Sequence, residues 1–176
     1  MGSASYVIGL GSNRPHGTHG RPRAVLAAAI GALAAQGLTI RARSAILRTP
    51  ALGPSIRDFA NAAVLMESDL APPALLALLK RVERAFGRRR GQRWGARVID
   101  LDILVWSGGA WPPLPRRAFS GRLAVPHVAL PFRDFALAPA AAMAPGWRHP
   151  IACHTLRQLE ARRRKPRPVD RRPRDQ

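Results

Sequence analysis

Two stretches of the chain carry helical periodicity, and each stands between runs that read as strands. "RPRAVLAAAIGALAAQG" (21–37) has Pro22 near its first turn, an apolar stripe of Val25, Leu26, Ala29, Ile30 and Leu33, and Gly37 at its end. "APPALLALLKRVERAFG" (71–87) repeats the pattern, with Leu75, Leu79, Val82 and Phe86 on one face and Gly87 at the cap. Before the first helix, residues 3–13 (containing "SYVIGLGSN") read as a strand ending in a Gly-Ser-Asn turn. Between the two, "LTIRARSAILRTP" (38–50) alternates and stops at Pro50, and "DFANAAVLMES" (58–68) is a further strand. The run from Val98 to Trp106 completes the order β-α-β-β-α-β.

That order predicts an α+β fold, a ferredoxin-like sandwich with a C-terminal extension. The extension holds the loop "SGGAWPPLP", an irregular 116–143 with room for a short helix, and a last helix in "HTLRQLEARR". At 176 residues the chain is expected to form one domain, residues 1–161, with its own core. Residues 162–176, "RRRKPRPVDRRPRDQ", offer little to bury and are expected to be a disordered Arg/Pro-rich tail. The single cysteine, Cys153, excludes an internal disulfide framework and is expected to serve packing. No signal-peptide pattern and no apolar run of about 18 residues is present, so a cytoplasmic protein without a membrane partner is expected.

The net charge is +19, and only Lys80 and Lys165 among the basic residues are lysines. Arginine grips phosphate through a planar fork of donors, which makes a phosphate-bearing partner the first inference. A genome rich in Ala, Arg, Pro and Gly codons is the bland alternative. Against that background, "RVIDLDILVW" sets Asp100 and Asp102 into an apolar strand. Residues i and i+2 share a face, roughly 6.5–7 Å apart along the strand, while Ile99, Leu101 and Ile103 face the core. Two carboxylates so placed repel each other unless cations lie between them. All-oxygen donors with no Cys or His beside them favour Mg²⁺, which combines one or two carboxylates with substrate phosphates. The competing reading is two solvated aspartates on an exposed sheet face. Asp is disfavoured in strands, and eight basic residues with one acid lie between Lys80 and Arg97, which weighs toward a cation site.

The loop "GRRRGQRWGAR" (87–97) places Arg88, Arg89, Arg90, Arg93 and Arg97 directly before the aspartates, where they suit a polyphosphate in transfer. Phe59 and Asn61 share another strand face. A ring beside an amide that donates and accepts would suit a planar heterocycle, and a core Phe with a surface Asn fits the same pattern. His127 in "LAVPHVAL" and Arg133 with Phe135 in "PFRDFAL" are weak signals taken singly.

Together these blocks resemble the 6-hydroxymethyl-7,8-dihydropterin pyrophosphokinases of folate biosynthesis. The likeness runs from "YVIGLGSN" through "RTPALGP", "DFANAAV" and "ERAFGRRRGQRWGARVIDLDIL" to "VPHVALPFRDFAL", most of the chain. It implies transfer of the β,γ-diphosphate of ATP to the pterin hydroxymethyl group with release of AMP. Asp100 and Asp102 would hold two Mg²⁺ ions and, with Arg88 and Arg97, carry the chemistry. Phe59 and Phe135 would sandwich the pterin, with Asn61 and the loop of Thr49, Pro50 and Leu52 reading its polar edge and Trp94 on a closing loop. Glu83, Arg88, Arg90, Arg93, Arg97, Ile103, Arg122, His127 and Arg133 would surround ATP. No protein nucleophile is implied, and the chain is expected to act as a monomer without a specific nucleic-acid partner. Ala96 stands where proline is usual in "RWGPR", and Ala124 and Val128 stand where many relatives carry hydroxyl groups.

Two readings of other classes compete. A basic ferredoxin-like domain could bind RNA, but no aromatic RNP pattern is present and the aspartates would repel a phosphate backbone. A two-metal nuclease or nucleotidyltransferase has only the aspartate pair in its favour.

Overall fold

Among the described residues two helices and five strands build the first layer pair, and the prolines and glycines of the sequence set where the helices begin and end. In the computed structural model, which describes residues 2–50, 57–87, 97–113 and 123–164, α1 spans Pro22–Ala35 and α2 spans Pro72–Ala85. Each begins at a proline, whose missing N–H is unneeded in a first turn. Each stops just before a glycine with positive φ, +83° at Gly37 and +80° at Gly87. The strands are β1 (Ala4–Ser12), β2 (Thr39–Arg43), β3 (Leu47–Thr49), β4 (Phe59–Ser68) and β5 (Asp100–Trp106). All pairings are antiparallel in the order β2-β4-β1-β5, with β3 also paired to β4.

One sheet face packs on α1 and α2. Tyr6, Ile8 and Leu10 of β1, Ala62, Val64 and Met66 of β4, and Leu101 and Ile103 of β5 meet Leu26, Leu33, Leu75 and Leu79 there. The opposite face carries a second core, in which Val7, Ala63, Leu104 and Val105 lie against α3 (Asp134–Met143) and α4 (Leu156–Arg164). A single 3-10 turn, Leu130–Phe132, leads into α3. Strand segments covered on both faces are apolar at successive positions, as in "YVI" and "LVW". Among the described residues no helix is long and apolar enough to cross a membrane.

Several boundaries differ from the sequence expectation. Residues 38–50 are two strands rather than one, because Ser44 interrupts the ladder: its Oγ accepts from Ala63 N at 2.9 Å, where a main-chain carbonyl would otherwise serve. β1 continues through Gly11 and Ser12 instead of turning there. The segment read as irregular holds the ten-residue α3, whose periodicity is masked by Pro139 and a run of alanines. α4 extends through Arg162–Arg164, with Arg163 paired to Asp134 and Arg164 to Glu160, so these three residues of the expected tail are helical. Residues 165–176 lie outside the described ones. Cys153 is exposed on a turn at φ 54°, so it serves no packing role.

Candidate active site

α3 and α4 cover only one end of the second sheet face. At the other end, β1, β4 and β5 present Gly9 and Gly11, Phe59 and Asn61, and Asp100 and Asp102 to a pocket walled by His127, Leu130, Arg133, Phe135 and Ala136. The register explains the grouping. Gly11 pairs with Asn61 on one side and Asp100 on the other, and Gly9 pairs with Ala63 and Asp102. A central strand with any larger side chains here would fill the space between the amide and the carboxylates. A Cβ at Gly11 would lie 3.2 Å from Asn61 Oδ1, and one at Gly9 would lie 3.2 Å from the Leu104 methyls. Glycine in a strand interior marks a place kept open for close approach.

The two ends of this floor differ in chemistry. At one end Asn61, only 5% exposed, donates from Nδ2 to Thr49 Oγ1 at 2.7 Å, which orients the amide. Phe59 and Phe135 bring their rings to the same pocket. At the other end the guanidinium of Arg97 bonds the Asp100 carboxylate. Arg97 is itself fixed from the end of β1: its N–H donates to Asn13 Oδ1 at 2.8 Å, and Asn13 N donates back to Arg97 O at 3.1 Å. Lys80 Nζ stands 3.8 Å from Asp102 Oδ1. The two carboxylates are therefore each accompanied by a cation from this chain.

His127 overlooks the carboxylates. Its Nδ1 accepts from Ala129 N at 3.1 Å, so in the neutral ring Nε2 carries the proton. Burial above all lowers its pKa, helped by Arg133 and Lys80 and opposed by Asp102 and Asp100. The imidazole is thus neutral at pH 7, a hydrogen-bond donor through Nε2. The Arg133 guanidinium lies 5.8 Å from the centre of the Phe135 ring, which props it at the pocket wall.

Of the residues singled out from sequence, Phe59, Asn61, Asp100, Asp102, His127, Arg133 and Phe135 line this one pocket. Thr49 and Arg97 join it by their bonds to Asn61 and Asp100. Pro50 is exposed at the end of β3. Two are placed elsewhere. Glu83 is wholly buried on α2, where its Oε1 accepts from Leu101 N at 2.7 Å, and Ile103 points its side chain into the first core. Leu52, Arg88, Arg90, Arg93, Trp94 and Arg122 lie outside the described residues, as does Ala96. Gly9, Gly11, Asn13 and Lys80 escaped the sequence reading. The alternating glycines of "GLG" inside a strand were the available signal for the first two.

A family model described as 7,8-dihydro-6-hydroxymethylpterin-pyrophosphokinase (HPPK) matches residues 7–145, which span every element that builds the pocket. The chain belongs to this family. Named 2-amino-4-hydroxy-6-hydroxymethyldihydropteridine pyrophosphokinase, a protein of Methylorubrum extorquens is 41% identical over 140 residues, covering 78% of this chain and 81% of its own length. A Synechocystis protein of the same name is 35% identical over 154 residues, covering 87% and 73%. The fold is also similar to a crystal structure of Plasmodium falciparum HPPK-DHPS, with a TM-score of 0.64 at 14% identity, over 92% of this chain and 43% of that one. The pyrophosphokinase match ends at residue 145, within the segment that follows α3.

Proposed function

We propose that the chain transfers the β,γ-diphosphate of ATP to the hydroxymethyl group of 6-hydroxymethyl-7,8-dihydropterin, releasing AMP, in folate biosynthesis. The observation that carries this reading is the glycine floor, which leaves an open path from an oriented amide and two aromatic rings to two carboxylates. The pterin lies at the Asn61 end, between Phe59 and Phe135, with its polar edge on the Asn61 amide and the loop that begins at Thr49. The polyphosphate lies at the Asp100 and Asp102 end.

The reaction needs no protein nucleophile. The hydroxymethyl oxygen attacks the β-phosphorus, the bond from the β-phosphorus to the oxygen bridging the α-phosphate breaks, and AMP departs as the hydroxyl proton is lost. Arg97 and Arg133 place positive charge beside the transferring group, and Arg88, Arg90, Arg93 and Arg122 would add to it. Neutral His127 offers Nε2–H to a phosphate oxygen. Trp94 would lie on the loop that covers the bound substrates.

Asp100 and Asp102 would hold two Mg²⁺ ions, which would supply charge neutralisation on the phosphate oxygens. The donor set fits: both groups are hard oxygen ligands on one face. Among the described residues no set of three or more His, Cys, Asp or Glu side chains is assembled, so water and phosphate oxygens would complete each shell.

The fold is read as ferredoxin-like, supported by the strand order β2-β4-β1-β5 with α1 and α2 on one face. The 3-10 turn, α3 and α4 form an extension that supplies one wall of the pocket. The chain would act as a single-domain cytoplasmic monomer on small molecules, with residues 165–176 dispensable for turnover. The test is product identity: with ATP, Mg²⁺ and hydroxymethyl-dihydropterin, the account expects AMP and pterin diphosphate in equal amounts. Formation of ADP, or AMP without pterin diphosphate, would refute it.

A further inference from the structure

Among the described residues β5 is the edge strand of the sheet, so on its outer side the backbone groups of Leu101 meet no further strand. Two side chains of α2 take their place. Glu83 Oε1 accepts from Leu101 N at 2.7 Å, and Lys80 Nζ donates to Leu101 O at 3.0 Å. The two side chains also bond each other, Nζ to Oε1, at 2.7 Å. Leu101 sits between Asp100 and Asp102, so this clamp holds the strand backbone that carries both carboxylates. Glu83 is fully buried while Lys80 remains about one-third exposed, at 32%, and stands near Asp102.

The choice of residue is informative. Of the 29 basic residues only two are lysines, and one of them stands here. A compact ammonium can serve the Glu83 carboxylate and the Leu101 carbonyl and still present charge toward Asp102, whereas a planar guanidinium spreads its donors in a fixed fork. At 3.8 Å from Asp102 Oδ1, Nζ acts through charge and not through a hydrogen bond.

We propose that Lys80 is a positioning residue for the aspartate pair: a cation tethered by Glu83 that balances Asp102 and holds down the pair's affinity for divalent cations when no nucleotide is bound. The consequence is that the cations bind well only together with the polyphosphate, whose negative charge outweighs Lys80. This rests on the reading of Asp100 and Asp102 as the cation site.

The experiment titrates Mn²⁺, without nucleotide, into the full-length protein and counts free Mn²⁺ by its electron paramagnetic resonance signal. Thermal melts accompany each variant as a check on folding. Lys80→Gln/Glu83→Gln keeps the local charge at zero and the hydrogen bonds to Leu101 within reach. It should bind Mn²⁺ about two- to fivefold more tightly, the scale of a partly exposed ion pair. Glu83→Gln releases Lys80 from its partner and should weaken Mn²⁺ binding by a similar factor. Lys80→Arg keeps the charge but not the compact geometry, so its Mn²⁺ affinity should lie between those of the wild type and the double variant. Opposite shifts in the first two variants cannot come from a merely loosened strand. Shifts of the same sign, or none, with Mn²⁺ still bound by the wild type, would overturn the role of Lys80 alone. A double variant that binds no Mn²⁺, with Lys80 no longer opposing it, would overturn the aspartate reading, and this inference with it.

Discussion

Gly11 lies directly across the β1–β4 ladder from Asn61, so close that a Cβ on it would stand 3.2 Å from Asn61 Oδ1. Gly11→Ala should therefore push the amide by a few tenths of an ångström without breaking the strand. Its backbone sits in ordinary extended territory, so stability should stay within about 1 kcal/mol of the wild type. Pterin affinity should fall several-fold, and affinity for an unreactive ATP analogue should change less. Calorimetric titration with each ligand separates the two, and an unchanged pterin affinity would speak against the glycine floor.

Asn61 and Thr49 form a second, graded test. Leaving the polar edge of a buried heterocycle unpaired costs about 1–3 kcal/mol, so Asn61→Ala should raise the pterin dissociation constant by one to two powers of ten. Thr49→Val removes only the hydroxyl that orients the amide, and about 1 kcal/mol, or roughly fivefold, is expected. Equal losses of ATP affinity in either variant would mean that this end of the pocket is assigned to the wrong substrate.

Much of this site was legible in the chain because strand parity is simple. Asp100 and Asp102 share a face by their spacing alone, and so do Phe59 and Asn61. What parity cannot tell is which strands become neighbours. The placement of β1 between β4 and β5 decides that Asn61 and Asp100 face one floor, and only then do Gly9 and Gly11 acquire a purpose. Glu83 illustrates the opposite difficulty. It lies four residues after Leu79 on the apolar stripe of α2, a position that foretells burial, yet its charge draws the eye toward a ligand. Besides Lys80 it bonds a backbone amide of β5, which no local pattern announces. α3 was obscured because "DFALAPAAAM" has small side chains all round, and its helix is defined by packing on the sheet and α4.

His127 gives a pH signature. Its folded pKa lies below the unfolded value of about 6.5, chiefly through burial. The unfolded chain therefore takes up a proton first as pH falls. The sign follows: this contribution to stability is fully present above about pH 6.5 and is lost as pH drops toward the folded pKa. Melting temperature of the ligand-free wild type should fall below that pH more steeply than that of His127→Asn. Parallel curves for the two proteins would show that the imidazole is not held neutral by the fold.

The central claim is that Asp100 and Asp102 serve chemistry and not the fold. Arg97 on Asp100 and Lys80 near Asp102 are partly exposed partners, so losing either carboxylate should cost at most about 1 kcal/mol of stability. The decisive measurement is AMP release at saturating ATP, Mg²⁺ and pterin by Asp100→Asn and Asp102→Asn, each shown by its melt to be folded. The account predicts turnover lower by at least about 10²–10³-fold in both variants, the scale of a lost electrostatic stabiliser in a transfer site. Near-normal AMP release from either folded variant would contradict it.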